Sequence, residues 1–116
     1  MKSRAVFASL LLASVLAGCE KPVPPDKAPY VGRWEATNMY IDISAGGRLD
    51  YKRKDGNYSS KISAPIGEFQ GNNFTAGIPF FETTFVVSTP PHETPAGWKM
   101  VVDGVELTRI NPKGNI

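Results

Sequence analysis

Met39-Tyr40-Ile41-Asp42-Ile43-Ser44-Ala45-Gly46-Gly47-Arg48-Leu49-Asp50-Tyr51 is the stretch that decides the fold. Met39, Ile41 and Ile43 alternate with Tyr40, Asp42 and Ser44, the period of a strand with one face buried. Ala45-Gly46-Gly47 suits a three-residue hairpin loop with glycine at the position that needs positive φ. This register sets Ile43 against Leu49, Ile41 against Tyr51 and Asp42 against Asp50. The like-charge pair is tolerable because Arg48 and Lys52 lie diagonal to it.

The next signal is Asp55-Gly56, which reads as a two-residue hairpin turn. It sets Leu49 against Ile62, Tyr51 against Ser60, Arg53 against Tyr58 and Asp50 against Lys61. The two hairpins share a strand and agree on its apolar face, an agreement that a one-residue slip would break. Beyond Pro65, Phe69 and Phe74 flank Gly71-Asn72-Asn73, another hairpin, and Phe81, Thr83, Phe85 and Val87 form one face of a further strand. Residues 88–97 carry Pro90, Pro91 and Pro95 and are expected to be a loop. Trp98-Lys99-Met100-Val101-Val102, Asp103-Gly104 and Val105-Glu106-Leu107-Thr108-Arg109 make the last hairpin. It pairs Val102 with Val105, Met100 with Leu107 and Trp98 with Arg109, and is expected to close the sheet. Arg109 should then stack on Trp98 across the hairpin. No stretch sustains a helical period. The fold class expected is all-β, a small antiparallel meander of seven or eight strands, a closed or nearly closed barrel or sandwich.

Working back toward the N-terminus, residues 20–29 hold Pro22, Pro24, Pro25 and Pro29. Such a segment favours polyproline II at about 3.1 Å per residue, a semi-rigid stalk roughly 30 Å long. An unstructured tail would differ only in stiffness. Before it, Lys2 and Arg4 precede an apolar run rich in Leu, Ala and Val, followed by small residues. Those are the n-region, h-region and cleavage pattern of a secretory signal peptide. The run is too short to cross a hydrocarbon core of about 30 Å as a helix.

That run ends in Leu16-Ala17-Gly18-Cys19, which resembles the lipobox of bacterial lipoproteins: an aliphatic residue, two small residues and a cysteine. The resemblance implies cleavage before Cys19, a diacylglycerol thioether on its sulfur and acylation of the new amino group, an anchor of several chains. A soluble secreted protein with an unmodified cysteine is the alternative. Glu20, rather than Asp, follows the cysteine, which in such families implies sorting to the outer membrane, facing the periplasm. The chain divides accordingly into a signal peptide (1–18), lipidated Cys19 with a proline-rich linker (19–29), a β domain (30–110) and a flexible tail (111–116).

Composition bounds the rest. Loss of residues 1–18 leaves 98, one domain's worth, and Cys19 is the only cysteine, so no internal disulfide can form. Without Lys2 and Arg4 the thirteen Lys and Arg become eleven, equal to the eleven Asp and Glu. That balance gives no case for a nucleic-acid partner.

Nothing marks a catalytic centre. His92, the sole histidine, stands beside Glu93 in the proline-rich segment with no nucleophile assigned to it. No Cys/His cluster suits zinc, no Asp/Asn spacing suits calcium, no glycine-rich turn cradles phosphate, and no cofactor is implied. Two groups are candidates for binding. The aromatic set Trp34, Phe69, Phe74, Phe81, Phe85 and Trp98 could line an apolar pocket, but reads better as core. Arg48, Lys52, Arg53 and Lys54 could meet anionic headgroups or an acidic partner, but read better as a solvated edge that discourages strand-on-strand association. Gly32-Arg33-Trp34 on the first strand, with Arg109 near the end of the last, resembles the lipocalin family, in which a G-x-W tryptophan is covered by a late arginine. That resemblance implies a barrel in which Arg109 lies over Trp34, although the domain is about half a usual lipocalin's length; Trp34, Trp98 and Arg109 are counted among the candidate binding residues. The functional expectation is a non-enzymatic lipid-anchored envelope protein that binds another envelope protein or a surface; a lipocalin-like carrier of a small apolar ligand is the alternative.

Overall fold

A computed structural model describes residues 20–110. The expected signal peptide (1–18), Cys19 and the expected flexible tail (111–116) therefore lie outside the described residues. The described residues are all-β, as expected. A short 3-10 helix, Pro25–Tyr30, leads into nine strands: β1 Gly32–Ala36, β2 Met39–Ile43, β3 Arg48–Asp55, β4 Tyr58–Gln70, β5 Asn73–Ile78, β6 Phe81–Phe85, β7 Val87–Thr94, β8 Gly97–Val102 and β9 Val105–Ile110. All pairings are antiparallel, in the single order β6-β5-β4-β3-β2-β1-β9-β8-β7, and the sheet curls into a half-barrel.

The β2–β3 hairpin has the expected register, Ile43 against Leu49, Ile41 against Tyr51 and Asp42 against Asp50. The facing carboxylates are each drawn away from the other. Asp42 pairs with Arg33 at 3.5 Å, and Asp50 accepts a 2.6 Å hydrogen bond from the Ser63 hydroxyl. The β3–β4 hairpin departs from expectation by two residues. Its turn is Gly56-Asn57, so that Tyr51 faces Ile62 and Asp55 faces Tyr58. Gly56 takes φ 59° at the first turn position, where a type II′ turn needs glycine. A two-residue shift leaves every side chain on its original face, which is why the apolar pattern alone did not exclude it.

Halfway along, β4 changes neighbours, pairing with β3 through Pro65 and with β5 from Ile66. A bulge between Ile66 and Phe69 makes the change, and Gly67 in it lies so close to Thr75 that a Cβ would strike the hydroxyl. The Thr75 hydroxyl in turn accepts the Glu68 N–H at 3.1 Å, replacing a ladder bond that the bulge removes.

Residues 88–97 are not a loop. Most of that segment is β7, which pairs with β8 through two register shifts. Proline cannot donate to a ladder, and β7 tolerates Pro90 and Pro91 because it lies at the sheet edge with one side unpaired. Nor does the strand that begins at Phe81 run through Val87: β6 ends at Phe85 and β7 begins at Val87. The chain thus passes from one edge of the sheet to the other through Val86 alone. Asp103 spans this junction, its carboxylate accepting the Val86 N–H at 2.9 Å while its own N–H donates to the Val86 carbonyl at 2.8 Å. Asn73 Oδ1 accepts the Val87 N–H at 2.8 Å and so ties β5 to the start of β7. The last hairpin does not close the sheet; it joins β1, and the two edges face each other across Val86.

The interior is filled by side chains. Trp34, Ile41, Ile43, Leu49, Phe74, Phe85, Met100, Val102 and Leu107 have almost no solvent exposure. Phe74 and Phe85 stack at 5.0 Å, and Tyr51 and Tyr30 meet this pair edge-on. Burying each such side chain stabilises the fold by about 1.5–3 kcal/mol, which is how a domain without a disulfide holds together.

The expected stalk is also replaced. Residues 20–30 lie against the domain: the Val23 N–H donates to the Ala45 carbonyl at 3.0 Å, Lys27 Nζ donates to the Gly71 carbonyl at 2.8 Å, and Val23 packs against the core. Tyr30 is buried, with its hydroxyl donating to the Asn72 carbonyl at 2.8 Å. Burial of Val23 and Tyr30 outweighs the extended preference of the prolines. The 3-10 turn uses Pro25 at its first position, where no N–H is needed.

Candidate functional site

Trp34, Trp98 and Arg109 do come together. Trp34 and Arg109 are directly paired where β1 meets β9, so both side chains point inward. The Arg109 guanidinium carbon lies 5.6 Å from the Trp34 ring centroid and 4.9 Å from that of Trp98. Its Nη1 donates to the Val31 carbonyl at 3.2 Å and to the Pro29 carbonyl at 3.4 Å. The Trp34 indole N–H donates to the Tyr30 carbonyl at 2.9 Å. Gly32 makes room for this arrangement, since a Cβ there would lie 2.8 Å from Arg109 Cδ. Trp34, at 0 % exposure, presents no surface to a ligand.

Arg48, Lys52, Arg53 and Lys54 do not form one patch. Along β3 the side chains alternate, so Arg48, Lys52 and Lys54 face outward while Arg53 shares the inner face of Tyr51. Arg48 is engaged by Glu20 at 3.1 Å and by the Ser63 hydroxyl at 3.0 Å. Arg53 pairs with Asp55 at 3.3 Å. Lys52 and Lys54 remain exposed, with Lys61 opposite Lys52 and Tyr40 on its other side. Tyr40 is itself covered by Arg33, whose guanidinium carbon sits 4.0 Å from the ring centroid. A hydrogen bond to Glu35 holds the Arg33 pKa above its ordinary value despite partial burial.

His92 sits on edge strand β7, its Nδ1 3.1 Å from the Pro90 carbonyl. Among the described residues no three His, Cys, Asp or Glu side chains gather as a metal site would require, and no described helix is long and apolar enough to cross a membrane.

One feature was missed from sequence. Phe81 belongs to no core. It is 76 % exposed, and with Ile78 at 56 % and Phe80 at 97 % it forms an apolar tip on the β5–β6 hairpin. Ile78 pairs with Phe81 around a Pro79-Phe80 turn, and Phe80 takes φ 73°. The signal was the run Ile78-Pro79-Phe80-Phe81 itself, where a proline between apolar residues marks a turn with no polar residue to solvate it. Beside the tip runs a groove of about 570 Å³, lined by Lys21, Pro65, Ile78, Pro79 and Glu82 among others. A second groove, of about 480 Å³, continues along Val23, Lys27 and Phe69. Both are open surface features.

No protein-family model, curated protein or solved structure matches this chain.

Proposed function

We propose that this is a non-enzymatic, lipid-anchored lipoprotein of the bacterial envelope. Its β domain is held at the membrane through Cys19, faces the periplasm and binds an envelope protein or surface. The lipobox Leu16-Ala17-Gly18-Cys19 supports the anchor. The observation that carries the choice of binder over carrier is the filled interior. With Trp34, Phe74, Phe85 and Met100 occupying the inside of the curl, the grooves and exposed side chains of the outer surface are what is left to recognise a partner. A lipocalin-like carrier needs an apolar cavity where these side chains stand.

Crosslinking in intact cells followed by purification from membranes tests the reading. An envelope protein should be recovered with the native chain and be strongly depleted with Cys19→Ser, which loses the acyl groups. Recovery of no envelope protein, or equal recovery with both chains, contradicts it.

A further inference from the structure

We infer that the β5–β6 tip, Ile78-Pro79-Phe80-Phe81, is a second membrane contact, inserted into the lipid interface beside the acylated N-terminus. The inference rests on the lipoprotein reading and adds to it a surface and an orientation.

Water and backbone both disfavour the tip as it stands. Phe80 is almost wholly exposed and lies in the left-handed region at φ 73°. A type II turn after proline normally puts glycine or asparagine there, and a bulky residue is strained. The exposed ring gains nothing from packing, so the conformation is held by the hairpin itself, and an outlier held in this way motivates a functional reading. The hairpin holding the tip is tight. Gly77, at φ 138°, lies so close to the Phe81 backbone that a Cβ there would collide with its carbonyl oxygen. The aromatic rings are therefore presented by a built support.

The start of the described chain names the occupant. Lys21 lines the same groove as Ile78 and Pro79. Cys19 is two residues from Lys21, at most about 7 Å of extended chain. Acyl chains on Cys19 would thus bring the bilayer to the tip, and rings at the interface would gain the burial they lack in water. Among the described residues the other exposed large apolar side chains, Tyr58, Val86 and Ile110, stand at separate points along the chain, whereas Ile78, Phe80 and Phe81 stand together. Glu82, Thr83 and Thr84 follow it along edge strand β6 and are exposed, a polar edge that discourages pairing with a second copy.

The test places a single environment-sensitive dye at the tip of the membrane-purified full chain. Pro79→Cys is labelled and reconstituted into phosphatidylethanolamine–phosphatidylglycerol vesicles that carry a lipid-attached quencher. Acylation blocks Cys19, so one dye per chain is expected. The dye should be blue-shifted and quenched, whereas a dye at Asn57→Cys, in the β3–β4 turn, should behave as in water. Adding Phe80→Gly and Phe81→Ser should reduce quenching at position 79 at least about tenfold. Glycine suits the turn, so that variant should also melt a few degrees higher. One dye per chain with no quenching at position 79 overturns the tip while leaving the anchor intact. A dye shielded from water but not from a second, crosslinked copy assigns the tip to self-association and equally overturns it. Two dyes per chain mean a free Cys19 thiol, which removes the anchor and the inference together.

Discussion

Arg109 stands directly opposite Trp34 across the β1–β9 pairing while reaching back over Trp98, one cation between two indoles. First strand, last strand and the preceding strand are locked at one point. Both coupling energies should therefore be measurable in double-mutant cycles by chemical denaturation, each about 0.5–2 kcal/mol. Trp34→Ala alone should cost about 3–5 kcal/mol, since the ring is fully buried. Coupling of Arg109 to only one of the two indoles would contradict the arrangement.

The N-terminal segment is part of the fold. Deleting residues 23–28 removes Val23 from the core and the Val23–Ala45 and Lys27–Gly71 hydrogen bonds. The expected loss is about 2 kcal/mol, a Tm lower by roughly 8–16 °C. Gly47→Ala should act in the same direction, because its Cβ would collide with the Lys21 carbonyl oxygen at φ 96°. An unchanged Tm in the deletion would mean that the segment is a mere tether.

Asp103 tests the junction between the sheet edges. It and Gly104 take φ 49° and 80° in the β8–β9 turn, and its carboxylate caps Val86. Asp103→Asn keeps the tolerance for positive φ and an acceptor, so it should be mild. Asp103→Ala should cost about 1–2 kcal/mol and raise hydrogen exchange at Val86. Gly104→Val should strain the turn and weaken the pairing of Met100 with Leu107.

Burial raises the pKa of Tyr30 and of Tyr51 above the ordinary 10.0. A neutral acid with a raised folded pKa contributes stability that is complete below the unfolded pKa and is lost as pH climbs through the folded one. Denaturation free energy should therefore show no tyrosine-linked change up to about pH 9 and should fall above pH 10. Tyr51→Phe should flatten that alkaline decline without steepening any acid limb.

Much of this was legible in the residues. The β2–β3 and β8–β9 registers follow from glycine at turn positions and from apolar residues two apart. The β3–β4 turn slipped by two because Asp55-Gly56 and Gly56-Asn57 both satisfy the turn chemistry and keep Tyr51 inward. Strand β7 was hidden because Pro90 and Pro91 exclude a central strand, and nothing local reveals that this one would be an edge. The seating of residues 20–30 depends on contacts with Ala45, Gly47 and Gly71, distant in sequence. The meeting of Trp34 with Arg109 could be anticipated, and the exposure of Phe81 could not, since Phe81 shares a strand face with Phe85, which is buried.

The proposed carriage of this domain on acyl chains at Cys19 can be read from the intact mass of the chain purified from membranes. The mature chain should begin at Cys19, with residues 1–18 gone and the mass increased by a diacylglycerol and an amide-linked acyl group. A chain whose Cys19 thiol reacts freely with an alkylating reagent, at unmodified mass, would contradict it.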